Sequence, residues 1–463
     1  MRGYYQGTQK KIGAGVIHMK TTDFSRHLRS MILGAETKIP LANGQYVTAI
    51  NFDNAATTPP FISVMNGVVN FAPWYSSIHR GKGFKSKLSS NTYEEGRQII
   101  YDFVNADKEK DTLIFTKNTT ESINIAAYRL AKENNKGVII STDMEHLAND
   151  LPWRNKFNVD YVGIDKVGKL SLKDLEDKLS RNKGNVLLVT VTGASNVTGY
   201  INPIHEIAKI AHKYHAKIFV DGAQLVPHVP VDMKPHDALE HIDYLAFSAH
   251  KMYAPFGVGV LVGPRKTFEK GEPVYKGGGD VRLVSQKFIQ WAEPPAKDEA
   301  GTPNIMGVNA LVDAVKNLNM IGLDAIHQHE NMLIHYAVDR LKNIHGIDLY
   351  CYDKKEDERV ALISFTLEGM PHPLLAEILS REGGIAVRDG MFCAHPYIEK
   401  MLDLTDKDIE YYRTNKDVLI PGMVRISFGL YNNVSEVNHL IKLLDNISRN
   451  MKSYLSLYKP LMS

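Results

Sequence analysis

The chain has 463 residues, of which 44% are hydrophobic and 23% charged, ordinary values for a globular protein with room for one large domain and a smaller one. The formal net charge of +3 and the lack of basic runs give no sign of a nucleic-acid partner, and no apolar stretch is long enough for a membrane span. Two cysteines cannot build a disulfide framework, and residues 1 to about 20 lack the apolar core of a signal peptide, so we expect a cytoplasmic protein.

The first predicted element is an amphipathic helix at residues 23–33. A short strand near residue 50 ends in the string D-N-A-A-T at residues 53–57, which taken alone is an ordinary strand-to-turn passage. Residues 76–97 form a loop rich in Gly, Ser and Lys before a helix, and this loop contains Arg80. We expect most of the charges in the loop to be solvated.

Three further strands are each followed by polar residues. Thr119 and Thr120 come at the start of a helix, where free N–H groups favour an anion such as phosphate, although threonines there can equally be plain helix caps. His146 follows the next strand, and Asn196 follows the one after it. Strands that alternate with helices predict a parallel sheet with helices on both faces.

Residues 216–255 carry the most informative chemistry. Two β-branched and aromatic runs in this stretch read as buried parallel strands, the first ending on Asp221 and the second just before Ser248. Ligands of open α/β sheets bind at the carboxyl ends of the strands. Lys251 follows the second strand closely, so we expect it near Asp221.

A lysine and a carboxylate in this arrangement suit pyridoxal phosphate. This cofactor needs a lysine for a Schiff base and a carboxylate that keeps its pyridine nitrogen protonated, and Lys251 and Asp221 fit these roles. Gln224 would bond the ring hydroxyl, while Ser248 and His250 would reach the phosphate. Taken singly, Asp221 can also be a strand-end cap and Lys251 a solvated surface lysine.

The last third of the chain changes in pattern. The string E-A-G-T-P-N, which contains Thr302, precedes a helix, and from about residue 322 a long helix and several strands follow. We therefore divide the chain into an amino-terminal segment that packs on the smaller domain, a large domain and a small domain, at residues 1–45, 46–320 and 321–463. Cys351 lies in a predicted strand of the small domain, where we expect it to be packing material.

Cys393 lies in a loop between Arg388 and His395. Nearby positive charge increases the thiolate fraction of a cysteine, so a reactive thiol is the alternative to a buried, inert one. Arg425, on a later strand, offers a planar guanidinium that suits the carboxylate of a substrate. Pairing with the carboxylate of an acidic neighbour is the alternative, which we rank second. We expect the charged and tyrosine-rich residues 397–423 to lie over the mouth of the site.

The strings F-V-D-G-A-Q at residues 219–224 and F-S-A-H-K-M-Y-A-P at residues 247–255 resemble the class V aminotransferase family of pyridoxal phosphate enzymes. Within that family the sequence is similar to group II cysteine desulfurases and selenocysteine lyases, from about residue 51 to about residue 431. The resemblance implies an α/β protein of the PLP-dependent transferase fold type I. Such a protein has a mostly parallel seven-stranded sheet in the large domain and a smaller α+β carboxyl-terminal domain.

The resemblance also implies roles for site residues. His146 would stack on the pyridine ring and relay protons, Asn196 would lie near the ring hydroxyl or the substrate carboxylate, and Thr119 and Thr120 would bind the phosphate. Arg425 would hold the substrate carboxylate.

The R-x-G-x-x-C-A-x-P pattern resembles the loop that carries the persulfide-forming cysteine in group II enzymes, here Cys393, with Arg388 as a further substrate-binding candidate. Met391 and Phe392 stand where the family often has histidines. Arg80 and Thr302 would reach the active site of a partner subunit, which implies a homodimer with shared sites.

These residues predict a pyridoxal-phosphate-dependent cysteine desulfurase that acts on L-cysteine or a similar amino acid and passes sulfur to an acceptor protein. Lys251 would remove the α-proton, and the Cys393 thiolate would attack the substrate sulfur, giving a persulfide and alanine. One alternative keeps the cofactor but changes the reaction to that of a selenocysteine lyase, C–S lyase, epimerase or aminotransferase. Another is a catalytically silent scaffold that binds partners.

Overall fold

The computed structural model describes residues 21–350, 352 and 358–458. Cys351 and the first part of the predicted amino-terminal segment lie outside the described residues. The strands are β1 Lys38–Pro40, β2 Tyr46–Thr48, β3 Ile50–Asn51, β4 Asp111–Thr116, β5 Val138–Thr142, β6 Asn158–Val162, β7 Val186–Thr192, β8 Lys217–Asp221, β9 Tyr244–Ser248, β10 Gly259–Pro264, β11 Val281–Val284, β12 Ile289–Trp291, β13 Ile347–Leu349, β14 Leu362–Leu367, β15 Ile385–Ala386, β16 Arg388–Gly390 and β17 Met423–Ser427.

The α-helices alternate with these strands through most of the chain. They are α1 Thr21–Ser30, α2 Ile62–Phe71, α3 Phe84–Phe103, α4 Thr119–Glu133, α5 Leu151–Arg154, α6 Leu172–Arg181, α7 Ile204–Lys213, α8 Arg265–Glu269, α9 Ile305–Ile321, α10 Leu323–Leu341, α11 His372–Gly383, α12 His395–Met401, α13 Asp406–Thr414, α14 Val434–Arg449 and α15 Met451–Tyr458. None of the helices in the described part of the chain combines the length and the apolar character needed to cross a bilayer.

A seven-stranded sheet in the order β4-β10-β9-β8-β7-β5-β6 forms the centre of the molecule. Strand β10 is antiparallel to both of its neighbours, and the other pairings are parallel. The connection from β9 to β10 is short. Strand β10 therefore runs antiparallel to β9, because a parallel return would need a long crossover. The predicted mostly parallel seven-stranded sheet is confirmed.

Both faces of this sheet are buried, because successive side chains of a strand point to opposite faces. On β4, Leu113 and Phe115 join one large hydrophobic cluster, whereas Ile114 between them joins a second cluster on the other face. Strand β5 divides in the same way, with Ile140 in the first cluster and Ile139 in the second. A ligand can therefore reach the sheet only at the ends of its strands, and in open α/β sheets the carboxyl ends are the usual place.

A second unit is built around the antiparallel sheet β13-β14-β17-β16 and the helices α10, α11 and α14. It has a hydrophobic cluster of its own. The early residues Ile50 and Phe52 belong to that cluster, and β3 pairs in parallel with β15. The chain thus visits the second unit near residue 50, within the range that we assign to the large domain.

The described part of the amino-terminal segment contacts both units. Leu28 and Ile32 pack in the large cluster of the seven-stranded sheet, while Arg29 pairs with Glu436 of α14 at 2.7 Å. The main chain at Ala42 donates to Arg381 of α11 at 2.9 Å. Helix α10 also spans both cores, so the domain boundaries at 45 and 320 stay predictions.

Candidate active site

A cavity of about 340 Å³ lies at the carboxyl ends of β4, β7, β8 and β9, where the two units meet. All but two of the predicted site residues line it. Those that line it are Thr119, Thr120, His146, Asn196, Asp221, Gln224, Ser248, His250, Lys251, Arg388, Cys393 and Arg425. The edge of the sheet that the strand pattern indicates is therefore the edge that holds the cavity.

Lys251 and Asp221 share this cavity because they follow neighbouring strands. Asp221 is the last residue of β8, paired with Ala246 of β9, and a short helical turn after β9 carries Lys251. Lys251 keeps some surface open to the cavity, but the protein encloses its amine closely, so burial lowers the pKa of Lys251 to about 8 against the attraction of Asp221. A neutral, nucleophilic amine is thus accessible near neutral pH.

Asp221 is buried, and burial raises the pKa of its carboxyl group. The N–H of Ala223, which donates to the Asp221 carboxylate at 3.0 Å, and the charge of Lys251 both oppose this shift. An anionic carboxylate in this position would favour a positive charge on a group bound beside it.

The start of helix α4 forms the anion-binding end of the cavity. Asn118 is the helix cap, because its side chain accepts from the N–H of Glu121 at 3.0 Å. Ser248 Oγ lies 2.8 Å from Thr119 N and 2.7 Å from Thr119 Oγ1. The capping alternative for Thr119 and Thr120 is therefore wrong, and both residues lie in the first turn of a 15-residue helix that faces the cavity.

Both cavity histidines are neutral at physiological pH. Burial, assisted by the positive charge of Lys251, lowers the pKa of His146 and of His250 to about 4. Nδ1 of His146 accepts from the N–H of Ala148 at 3.0 Å, so the neutral ring carries its proton on Nε2. His146 is thus a hydrogen-bond donor at that nitrogen.

The side chains of Gln224 and Asn196 already bond to the main chain. Gln224 Nε2 donates to the carbonyl of Ala55 at 2.7 Å, and Asn196 Nδ2 donates to the carbonyl of Phe392 at 2.7 Å. The first contact connects the D-N-A-A-T segment to the cavity, and the second connects the large unit to the loop of Cys393. Their predicted contacts with a ring hydroxyl stay predictions.

Arg425 and Arg388 approach the cavity from the small sheet, where they are cross-strand partners. Arg425 is buried, and burial lowers its pKa to about 10. Its Nη2 lies 3.3 Å from Asp53 Oδ1, and Arg388 Nη2 lies 2.9 Å from Asp53 Oδ2. The pairing of Arg425 with an acidic neighbour, which we ranked second, is therefore present in the structure.

Arg425 still has unused donor capacity. Its Nη1 donates to the carbonyl of Asn196 at 2.8 Å, but its buried Nε has no hydrogen-bond partner among the described residues. Buried guanidinium N–H groups are normally paired.

Cys393 is exposed and lines the cavity, in a loop with a strained backbone. Phe392 and Cys393 have φ values of 46° and 55°, a region that residues other than glycine seldom adopt. The loop is held by Asn196 and by the N–H of Leu147, which donates to the Cys393 carbonyl at 2.7 Å. Cys393 is therefore not a buried cysteine, and its reactivity stays a prediction.

The segment 397–423 does not line the cavity, which differs from our prediction. It forms α12 in part and α13, and Tyr397 and Ile398 are buried in a cluster with Met144 and Val197 of the large unit. The hydroxyl of Tyr397 donates to the carbonyl of Gly168 at 2.5 Å. Apolar side chains thus hold the segment beside the Cys393 loop rather than over the mouth.

Arg80 and Thr302 are the two predicted residues that do not line the cavity. Arg80 is exposed in the loop before α3, and this loop is shorter than the predicted 76–97, because α3 begins at Phe84. Thr302 is also exposed and lines a separate cavity of about 240 Å³. Their roles in a partner's active site stay predictions.

Several residues that we did not assign to the site line it or pair within it, and three of them make notable contacts. Asp53 bridges the two arginines, Asn118 caps α4, and the Phe392 ring lies 5.0 Å from the guanidinium carbon of Arg425. Asp53 belongs to the D-N-A-A-T string, and Asn118 is a residue type that often begins a helix, so both carried a local signal. Phe392 carried none, because its contact with Arg425 depends on the pairing of β16 with β17, which are distant in sequence.

The chain is similar to known proteins over most of its length. The family model for aminotransferase class-V matches residues 50–440. A probable cysteine desulfurase of Halalkalibacterium halodurans is 36% identical over 405 residues, which are 86% of this chain and 92% of that protein. A cysteine desulfurase of Haloferax volcanii is 33% identical over 404 residues, which are 86% of this chain and 88% of that protein.

Solved structures agree with these sequences. The apo structure of the cysteine desulfurase of Thermococcus onnurineus NA1 has a TM-score of 0.77 at 31% identity and covers 87% of this chain and 95% of its own. The Escherichia coli cysteine desulfurase CsdA, solved as its S-sulfonic acid, has a TM-score of 0.75 at 27% identity and covers 91% and 98%. The mostly parallel sheet and the structural match confirm the predicted fold class. Because the family model matches most of its length, this chain belongs to the class-V aminotransferase family.

Proposed function

We propose that this protein is a pyridoxal-phosphate-dependent cysteine desulfurase that converts L-cysteine to L-alanine and leaves the sulfur on Cys393. The observation that carries this proposal is one cavity that holds Lys251 and Asp221 together with the exposed thiol of Cys393. Relatives named cysteine desulfurase, at 33% and 36% identity, support it.

The cavity suits pyridoxal phosphate, on which class-V aminotransferases depend. The start of α4 with Thr119, Thr120 and Ser248 would hold the phosphate, Asp221 the pyridine nitrogen, and Lys251 the aldehyde carbon. Arg425 also lines the cavity, where its guanidinium would pair with a bound carboxylate, and the lowered pKa of Lys251 would leave part of its amine neutral for reaction with an aldehyde. When bound, the cofactor supplies an electron sink for a carbanion at the substrate's Cα.

The chain's own residues would orient the substrate and move its protons. Arg425 would hold the substrate carboxylate, with Arg388 as a second, more exposed cation beside it. The free amine of Lys251 would remove the α-proton, and His146 would present the proton on its Nε2.

Cys393 would complete the reaction. Its thiolate attacks the substrate sulfur, an S–S bond forms and the Cβ–S bond breaks. The electron pair of the broken bond stays with the carbon skeleton, which takes up a proton and leaves as alanine. The persulfide sulfur then passes to an acceptor thiol, which we expect to belong to an acceptor protein in the cytoplasm.

Mass spectrometry of the intact holoenzyme after incubation with L-cysteine tests this proposal. We expect the chain to gain one sulfur atom at Cys393 and alanine to appear in step with it. Cys393→Ser should abolish the gain, whereas Cys351→Ser, at the other cysteine of the sequence, should retain it. Alanine production by Cys393→Ser at the unaltered rate would contradict the persulfide route and favour a lyase.

We also propose a homodimer in which Arg80 and Thr302 act in the partner's site. The hairpin of β11 and β12 exposes apolar side chains, with Leu283, Val284, Phe288 and Ile289 each more than half exposed. The loop before this hairpin bonds to the loop of Thr302, since Gly301 N donates to the Gly278 carbonyl at 2.7 Å. Exposed apolar patches of this kind favour protein contacts.

Light scattering of a hairpin variant tests the dimer. We expect Phe288→Glu to convert the dimer to a monomer and to lower activity, since the shared residues would be lost. Leu457→Glu replaces an apolar residue of α15 with similar exposure and should leave the mass unchanged. A wild-type monomer with full activity would overturn the proposal.

A further inference from the structure

Two histidines and an aspartate meet at the opposite end of the central sheet from the cavity. Asp111 is the first residue of β4, and His236 and His241 lie in the connection between β8 and β9. One nitrogen of each histidine and one oxygen of the aspartate lie within 4.8 Å of one another. The amino ends of β4 and β9 thus carry a compact set of metal-ligand atoms.

The ring of His241 is fixed in one tautomer. Its Nδ1 lies 2.9 Å from the carbonyl of Met233 and 2.8 Å from the carbonyl of Lys234, so this nitrogen must carry the hydrogen. The neutral ring then has its lone pair on Nε2. His241 is only 3% exposed, and its Nε2 has no hydrogen-bond partner among the described residues.

A buried lone pair without a partner needs an explanation. Metal-binding histidines commonly donate their second ring N–H to a backbone carbonyl, which orients the ring and raises its basicity. His241 has this second interaction already in place. The empty position is on the metal-binding side of the ring.

The other two groups are arranged around the same point. His236 Nε2 lies 3.0 Å from Asp111 Oδ1, and the two imidazole rings have their centres 4.1 Å apart. Asp111 Oδ2 accepts from the N–H of Asp107 at 3.0 Å, which leaves Oδ1 for the cluster. The carboxylate is fully buried, and burial raises the pKa of Asp111 while the two histidines oppose the rise.

We propose that Asp111, His236 and His241 bind a divalent transition-metal ion of the Zn²⁺ class. Two imidazoles and one carboxylate suit zinc rather than Mg²⁺ or Ca²⁺, which prefer oxygen ligands. Water would occupy the fourth position, since the side chain of His236 is 21% exposed and leaves a path to solvent. The ion would join the start of β4 to the β8–β9 connection.

Metal retention by the purified holoenzyme tests the site. Protein treated with EDTA, incubated with ZnCl₂ and passed through a gel-filtration column is analysed for zinc by mass spectrometry. We expect about one zinc per chain in the wild type and in Cys393→Ser, which removes the exposed thiol as a competing ligand. His241→Gln and Asp111→Asn should each retain less than a tenth of this amount.

A matched control is present in the same region. His212 Nε2 lies 2.9 Å from Asp243 Oδ2, and its Nδ1 lies 2.7 Å from a backbone carbonyl, but no second histidine joins this pair in the described part of the chain. His212→Gln should therefore retain about one zinc. Zinc should also raise the melting temperature of the wild type but not that of His241→Gln.

Equal zinc retention by the wild type and His241→Gln, or none by the wild type, would overturn the proposal. Circular dichroism and gel filtration of each variant show whether it is folded. If Asp111→Asn does not fold, His236→Gln replaces it, because the side chain of His236 is partly exposed. The readout is metal content, so it is independent of the proposed desulfurase activity.

Discussion

On one wall of the cavity, Asp221 and Ser248 end central strands and are buried, and the turn that follows places Lys251 beside them. On the other wall, Cys393 is exposed in a loop with two successive residues in the left-handed region. The first wall is fixed by a sheet with hydrophobic cores on both faces, whereas the second is held by hydrogen bonds from Asn196 and Leu147 and by a small apolar cluster around Phe392.

This difference matches two kinds of chemistry. Proton removal and cofactor binding need groups at fixed positions with shifted pKa values, which burial at strand ends provides. Sulfur transfer to a second protein needs a thiol that can be reached from outside, which an exposed loop provides. The predictions that follow test whether the two walls differ in this way.

The largest effect is expected for Lys251→Ala on the rigid wall. Alanine production should fall by about 10²- to 10⁴-fold, because the variant lacks the amine that moves the α-proton. The absorbance of bound cofactor and an alanine assay measure the loss. Lys217→Ala, at the start of β8 and away from the cavity, is the control, and a similar loss in it would show that the effect is structural.

The next effect distinguishes the two arginines, which lie side by side in the small sheet. Arg425→Lys should lower kcat/KM for cysteine by about 10- to 10²-fold, the value of a charged hydrogen bond of about 1.5–3 kcal/mol. Arg388→Lys should have a smaller effect, because its side chain is 47% exposed and solvent screens its charge. Steady-state kinetics measure both, and a larger loss for Arg388→Lys would reverse the proposed roles.

The third prediction concerns pH. With the pKa of Lys251 at about 8, the rate at which cofactor-free protein combines with pyridoxal phosphate should fall about tenfold per pH unit below 8 and level off above it. The neutral amine reacts, so lower pH means fewer reactive molecules. Stopped-flow absorbance measures the rate. The same measurement on Nα-acetyl-lysine, whose side-chain amine is free, corrects for the titration of the cofactor.

Asp221→Asn sharpens this test. The negative charge of Asp221 raises the pKa of Lys251, so its removal should move the midpoint to lower pH. An ordinary lysine has a pKa of about 10.4. A midpoint near that value for the wild type would contradict the enclosed environment of the amine.

The smallest effect is expected for Asn196→Ala, which removes one of the two hydrogen bonds that hold the Cys393 loop. Loss of one hydrogen bond, worth about 0.5–1.5 kcal/mol, should increase the rate of Cys393 alkylation by iodoacetamide a few-fold as the loop loosens. Mass spectrometry follows the alkylation. Ser364→Ala removes a contact to Val197 elsewhere in the same region and should leave the rate unchanged, whereas equal rates in Asn196→Ala and wild type would mean that the bond does not hold the loop.

The sequence alone determined the rigid wall. Continuous apolar runs and the polar residues after them are local patterns, and the ends of parallel strands meet at one edge, so Asp221, Ser248 and Lys251 were expected together, and they line one cavity. The exposed Cys393 and the buried Arg425 were also assigned correctly to that cavity, from their surrounding motifs.

The tertiary structure alone decided what depends on distant contacts. Asp53 reaches Arg388 and Arg425 across more than 300 residues, as their sequence separations of 335 and 372 show. Apolar packing against the large unit holds Tyr397 and Ile398 beside the Cys393 loop, and Asp111 meets His236 at a separation of 125 residues. Local patterns specify elements and their ends, but which side chains meet across two cores is set by packing, to which the whole chain contributes.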